Sequence, residues 1–224
     1  KGLYAPEFEH DACGIGFVAN IKSNKSHQIV SDALTILENM EHRGACGCEI
    51  NTGDGAGILI QTPHEFFFDE CLKLGIHLPA YSKYGVGVLF FPKDIRLREE
   101  CRDTFNRCAE TLGLEVMGYR RIPVNTEEIG SSALSVEPEM EQVFIACPDH
   151  INNPDEFERK LFVLRNYATH TIASTVKKDA ICFYVASLSY KTIIYKGQLT
   201  SLQVRGYFPD LRNKKVVSAF GLIH

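Results

Sequence analysis

The sequence lacks the features that would place it at a membrane or on a nucleic acid. No apolar run approaches the roughly 20 residues needed to cross a bilayer. Residues 1–12, KGLYAPEFEHDA, hold one Lys and three acidic residues without an apolar stretch, so they are no secretory signal. Clusters of Lys and Arg are missing too. The pairs Arg120-Arg121, Lys177-Lys178 and Lys214-Lys215 are short and far apart, whereas a nucleic-acid footprint needs a basic stripe or patch. They read as solvated surface. The net charge of −4 is spread along the chain in both signs.

Several chemical signatures are absent as well. There is no Gly-Lys-Ser or Gly-Lys-Thr, which excludes a P-loop, and no HExxH pair. Cys46-Gly47-Cys48, with His42 and Glu49 nearby, has no matching Cys/His pair downstream. A structural zinc site needs four ligands, so no metal is expected. The eight cysteines, at 13, 46, 48, 71, 101, 108, 147 and 182, are too sparse and irregular for a small disulfide scaffold. Cys101, Cys108 and Cys182 read as buried thiols in a reducing, intracellular compartment, with cytoplasm or plastid left open. No linker, repeat or low-complexity segment occurs. The first residue is Lys, and the last four, Gly-Leu-Ile-His, finish a strand-like run. The chain is therefore expected to be a piece of a longer protein.

What is present is an ordinary globular composition: 224 residues, 45% hydrophobic and 23% charged. That is enough for one large domain with a sizeable core. The pattern alternates strands and helices. Strands are expected at 14–22, 57–61, 84–92, 114–123, 141–148, 181–188, 192–196 and 216–223. Helices are expected at 27–41, 64–73, 95–112 and from Asn153-Pro154-Asp155 to about 173. Ser26 is placed to cap the first helix. Its stripe would be Ile29, Ala33, Leu37 and Met40, with Val30 and Leu34 beside it. Cys101 and Cys108, seven apart, share one face of the third. The closeness of 181–188 and 192–196 suggests that these two strands pair antiparallel. That favours an α+β architecture over a doubly wound parallel sheet. Residues 125–139 read as a surface excursion.

Three short stretches carry possible chemistry. In Asp11-Ala12-Cys13-Gly14-Ile15-Gly16-Phe17, a thiol stands at the mouth of a strand, and two glycines leave room for a substrate to approach the sulfur. On these seven residues alone, a buried cysteine with packing glycines is the commoner arrangement. In His42-Arg43-Gly44-Ala45, the two cations suit the end of a helix, with Gly44 as its cap. Arg43 could also face an anionic group or a developing negative charge near Cys13. Thr52-Gly53-Asp54-Gly55-Ala56-Gly57 precedes a strand instead of following one, which is the wrong order for a dinucleotide loop. It reads as a tight loop that lets backbones pack closely.

Taken together, these stretches resemble one family. DACGIGFVANIKSNKSHQIV and MEHRGACGCEINTGDGAGILIQTPHEFF look like the opening of the glutaminase domains of glutamate synthases. The likeness continues through RRIPVN (120–125), EPEMEQVFI (137–145), FYVASLSYKTIIYKGQL (183–199), YFPDL (207–211) and SAFGLIH (218–224). It covers essentially the whole chain, and the combination of CGIGF, HRGACG and TGDGAGI is specific.

The resemblance implies an N-terminal-nucleophile hydrolase: an α+β, four-layer αββα sandwich, here incomplete at the C-terminal end. It implies a propeptide at 1–12 and a class-II amidotransferase region at 13–224. Cys13 would be the nucleophile, and its freed amine the base. A thiol of ordinary pKa is mostly protonated at neutral pH, and an amide nitrogen, as in the Ala12–Cys13 bond, is no base. L-glutamine would be the substrate, and Arg43 would support the nucleophile's surroundings. Ammonia would pass to a synthase region bearing FMN and an iron–sulfur cluster, with FAD as a further candidate. The family's carboxylate-gripping Arg segment and its oxyanion-hole Asn-Gly pair would lie beyond His224, so the isolated piece is expected to be inactive. The rival is a catalytically inert amidotransferase-like domain with an assembly or regulatory role.

Overall fold

The computed structural model describes residues 14–43, 49, 51–176 and 183–224. In order, the elements are β1 (Gly16–Ala19), α1 (His27–Asn39), a 3-10 turn (Glu41–Arg43), β2 (Ala56–Gln61), α2 (His64–Lys73) and β3 (Tyr84–Phe91). These are followed by α3 (Ile95–Thr111), β4 (Glu115–Arg121), α4 (Ser131–Val136), β5 (Glu139–Ala146) and α5 (Pro154–Thr175). The last are β6 (Tyr184–Ser189), β7 (Thr192–Gly197), α6 (Val204–Tyr207), a 3-10 turn (Pro209–Arg212) and β8 (Phe220–Ile223). The strands form two four-stranded sheets, ordered β1-β8-β2-β7 and β4-β5-β3-β6. Among the described residues every strand pairing is antiparallel. The architecture is α+β.

Local sequence explains the helices. The Ser26 hydroxyl accepts from the Ile29 amide and starts α1. Its buried face is Val30, Ala33, Leu34 and Leu37, which shifts the expected stripe so that Ile29 and Met40 lie at its margins. Asp94 caps α3 through the Leu97 amide. Asn153 caps α5, with Pro154 in its first turn. Cys101 and Cys108 are buried free thiols on one face of α3, as their spacing requires. α3 and α5 cover the outer face of the second sheet through Leu89, Phe91, Val143 and Ile145.

The other core lies between the sheets. By register, Gly16, Val18, Gly221, Ile223, Ile58, Ile60, Ile193 and Tyr195 share one face of the first sheet. α1 lies on this face at β1 and β8. The second sheet approaches the same face at β7 with Val86, Val88 and Phe144. The opposite face leaves Phe17 and Leu222 exposed.

Two expectations are corrected here. The strands at 184–189 and 192–197 do not pair with each other: β6 joins β3, and β7 joins β2. The turn between them explains the crossing. Glu158 on α5 accepts from the Ser189 hydroxyl and the Tyr190 amide, while Ser189 Oγ accepts from the Lys191 amide. The chain is thus held against α5 and handed from one sheet to the other.

Arg120, in turn, is not solvated surface; it is buried. Its two terminal nitrogens grip both Asp210 oxygens at 2.7 and 2.9 Å, and also donate to Gln142 at 2.8 Å and Glu70 at 3.0 Å. Gln142 donates to the Tyr195 hydroxyl at 2.9 Å, which donates to Asp210 at 3.0 Å. This closed ring joins β4, β5, β7 and the Pro209–Arg212 turn. Burial opposes the Arg120 charge, but the Asp210 carboxylate outweighs it and raises the pKa further. Burial and the Asp210 charge push the Tyr195 phenol well up, so it remains a neutral donor.

Removing one partner of a buried pair typically costs about 3–5 kcal/mol, because the other charge is left uncompensated. Asp210→Ala should therefore cost stability on that scale, seen as a lower urea midpoint in circular dichroism. Lys191→Ala, which breaks an exposed pair with Asp155, should leave the midpoint in place.

Candidate active site

Several chain segments end at one end of the first sheet. β1 enters there from Gly14 and Ile15, with Gly16 opposite Ile223. β8 leaves there, and β2 begins there: the Gly57 amide donates to the His224 carbonyl at 2.9 Å, and the return bond is 3.2 Å. α1 runs back along the sheet towards the same end. Its start is near the Ser26–Ser218 bridge, Ala33 lies over Gly221, and Ile36 lies over Gly16. The Glu41–Arg43 turn follows directly.

Glycines make this convergence possible. A Cβ on Gly16 would lie 2.6 Å from Ile223 Cδ1 and 2.7 Å from Ile36 Cγ2. A Cβ on Gly53 would lie 2.2 Å from the Leu199 carbonyl oxygen, and one on Gly57 would lie 2.7 Å from that of Tyr195. Real side chains do not tolerate these distances. The Gly-rich stretch is therefore a close-packing loop, as its order in the sequence suggested. Beside it opens a cleft of roughly 650 Å³, bordered by Gly55, Leu59, Tyr184, Lys196, Leu222 and His224. In it the Lys196 ammonium donates to the Tyr184 hydroxyl at 2.8 Å.

The candidate residues can now be placed. Cys13, Gly44, Cys46, Cys48 and Cys182 lie outside the described residues, as do residues 1–12. Gly14, the residue after Cys13, and the backbone of Arg43 are carried to the same end of the first sheet. α1 stops at Asn39, with Met40 as its cap, so His42 and Arg43 do not close that helix as expected. They sit in a separate 3-10 turn, and His42 is exposed. Sequence reasoning gave Glu49 no role beyond its nearness to a weak metal motif. Its carboxylate accepts from Ser131 Oγ at 2.6 Å, the Ser132 amide at 3.1 Å and Thr52 Oγ1 at 3.1 Å. The Ser131 and Ser132 bonds lower its pKa to about 2. A short Ser-Ser start to α4 was the one available sign.

The sequence profile of the class-II glutamine amidotransferases matches residues 13–224. The chain belongs to this family. It is 43% identical over its whole length to the glutamate synthase [NADPH] large chain of Bacillus subtilis, covering 14% of that protein. It is 42% identical over 229 aligned residues to the glutamate synthase [NADH] of Saccharomyces cerevisiae, covering 11%. Against the chloroplastic ferredoxin-dependent glutamate synthase 2 of Arabidopsis thaliana it is 38% identical, with 96% of this chain and 13% of that one aligned. The chain thus spans about one seventh or less of these relatives. No helix among the described residues is long and apolar enough to cross a membrane.

The described thiols contrast with what an amidotransferase nucleophile needs. Burial pushes Cys71 up to about 12 and Cys101 up to about 11. A thiol is reactive as its thiolate. Iodoacetamide at pH 7.5 should therefore leave Cys71 and Cys101 unmodified in the native protein and reach them only on unfolding, as read by peptide mass mapping.

Proposed function

We propose that this chain is the glutamine-hydrolysing part of a glutamate synthase, with Cys13 as nucleophile and residues 1–12 as a propeptide. The observation that carries the reading is the convergence at one sheet end. The strand that follows Cys13, the turn that bears Arg43 and the Gly-rich loop before β2 all meet there. The family match starting at residue 13 and the glutamate synthases among the relatives support it.

On this reading, removal of the leader frees the Cys13 α-amine, whose ordinary pKa of about 7.7–8.0 suits it to take the thiol proton. The sulfur attacks the side-chain amide carbon of glutamine, and the carbonyl electrons move to oxygen. The tetrahedral intermediate collapses as the C–N bond breaks. Nitrogen takes the proton and leaves as ammonia, and a glutamyl thioester remains. Water then adds to the thioester, releasing glutamate and restoring the thiol. Arg43 supports the nucleophile's surroundings as a fixed positive charge.

The ammonia is consumed in the longer protein, where 2-oxoglutarate and reducing equivalents yield glutamate. FMN, an iron–sulfur cluster and any FAD belong, on this reading, to sequence outside this chain. The electron donor differs among the relatives, which are named for NADPH, NADH or ferredoxin.

The test is glutamine hydrolysis by the full-length protein. Cys13→Ala should lower kcat by more than about a thousand-fold, the scale on which loss of a nucleophile acts in other covalent hydrolases. Unchanged turnover would remove Cys13 from the chemistry.

A further inference from the structure

The Gly-rich loop beside the site is held by a part of the chain that reads as surface decoration. Three separate stretches meet there. The Glu49 carboxylate takes the Ser131 hydroxyl and the Ser132 amide, the first donors of α4. That helix has Gly130 at its N-cap and no capping side chain of its own, so Glu49 does the capping from 82 residues away. The Gly130 amide donates to the Asn51 carbonyl at 2.9 Å. Gln203 then bridges the two segments from a third side. Its amide nitrogen donates to the Asn51 carbonyl at 2.9 Å and to the Glu128 carbonyl at 2.7 Å, while its oxygen accepts from the Thr200 amide at 2.8 Å.

Gly130 is enclosed by this clamp. A Cβ there would lie 2.3 Å from Thr52 Oγ1 and 2.7 Å from Glu49 Oε2. The excursion and the loop are therefore fitted to each other at atomic contact. The loop's far end is equally fixed, since Gly57 is bonded to His224 and Gly53 lies against Leu199.

We propose that Glu49, gripping the start of α4, is a positioning residue of the glutamine-hydrolysing site. The 125–139 excursion acts as the brace that sets the Gly-rich loop beside the nucleophile's strand. This rests on the functional reading above. Glu49 acts through residues 51–57 and the register of β2 against His224. Its effect therefore falls on the chemical step. Glutamine capture is left largely alone, because the Glu49 carboxylate and the Gln203 amide are already engaged within the clamp.

The experiment is steady-state glutamine hydrolysis by the full-length protein, with circular dichroism as a check on folding. Misplacing a catalytic group by about 1 Å can cost about 100-fold, so Glu49→Ala should lower kcat by about 10-fold while KM stays within about two-fold. Glu49→Gln keeps an acceptor oxygen for the Ser132 amide, and its NH2 can donate to the Ser131 hydroxyl, which turns to accept, so it should recover most of the rate. Ser131→Ala should give a smaller loss, and Glu49→Ala with Ser131→Ala should be no worse than Glu49→Ala alone, since both break one interaction. A folded Glu49→Ala protein with wild-type kcat overturns the proposal, as does a loss that Gln fails to restore. If Glu49→Ala does not fold, Ser131→Ala carries the test: a lowered kcat at unchanged KM supports the brace, and a wild-type kcat overturns it. Failure of the functional reading looks different, because Cys13→Ala would then keep its turnover whatever Glu49 does.

Discussion

Arg120 brings a full positive charge into the space between the two sheets, and Asp210 makes that tolerable. A buried guanidinium without a partner would cost several kcal/mol. Here four acceptor contacts from Asp210, Gln142 and Glu70 satisfy it, and Tyr195 closes the ring. A bidentate Arg–carboxylate pair is demanding in both distance and orientation. Because its members come from β4, β5, β7 and the turn before β8, that demand fixes how the second sheet stands against the first. It also fixes the turn from which β8 is launched towards His224.

The site inherits its geometry from this arrangement. β8 lies between β1 and β2, so placing β8 places both the strand that follows Cys13 and the start of β2. α1 can approach this region only because Gly16 and Gly221 carry no side chains. The Gly-rich loop packs on β7 and the Leu199 turn for the same reason. Close backbone approach then lets the start of β1, the Glu41–Arg43 turn and the Gly-rich loop come to one place. The polar clamp at Glu49 then sets the loop from outside.

Much of this was legible in the residues, because the signals are local. Helix caps at Ser26 and Asn153 and the 3.6-residue stripes follow from short-range patterns; the α+β class was also reached, but through a pairing of 181–188 with 192–196 that does not form. The close-packing role of Gly53 and Gly57 could be read from the order of loop and strand. What could not be read depends on pairs distant in sequence. Arg120 looked like one half of a surface Arg-Arg pair because its partner is 90 residues away. β6 and β7 looked like a hairpin because a short turn usually makes one. The bonds from Ser189 and Tyr190 to Glu158, which prevent it, come from another element. The brace at 125–139 was hidden for the same reason, since Glu49 and Ser131 are related only in space. Family resemblance supplied the remainder, including the roles proposed for Cys13 and Arg43.

The central claim is that Cys13, freed as an N-terminal residue, is the group that attacks glutamine. The most direct measurement treats the full-length protein with a glutamine-mimicking diazoketone and maps both the adduct and the chain start by mass spectrometry. The account predicts one stoichiometric adduct on Cys13, on chains that begin at Cys13. An adduct on Cys46 or Cys48, or labelling of Cys13 in chains that still carry residues 1–12, would contradict it.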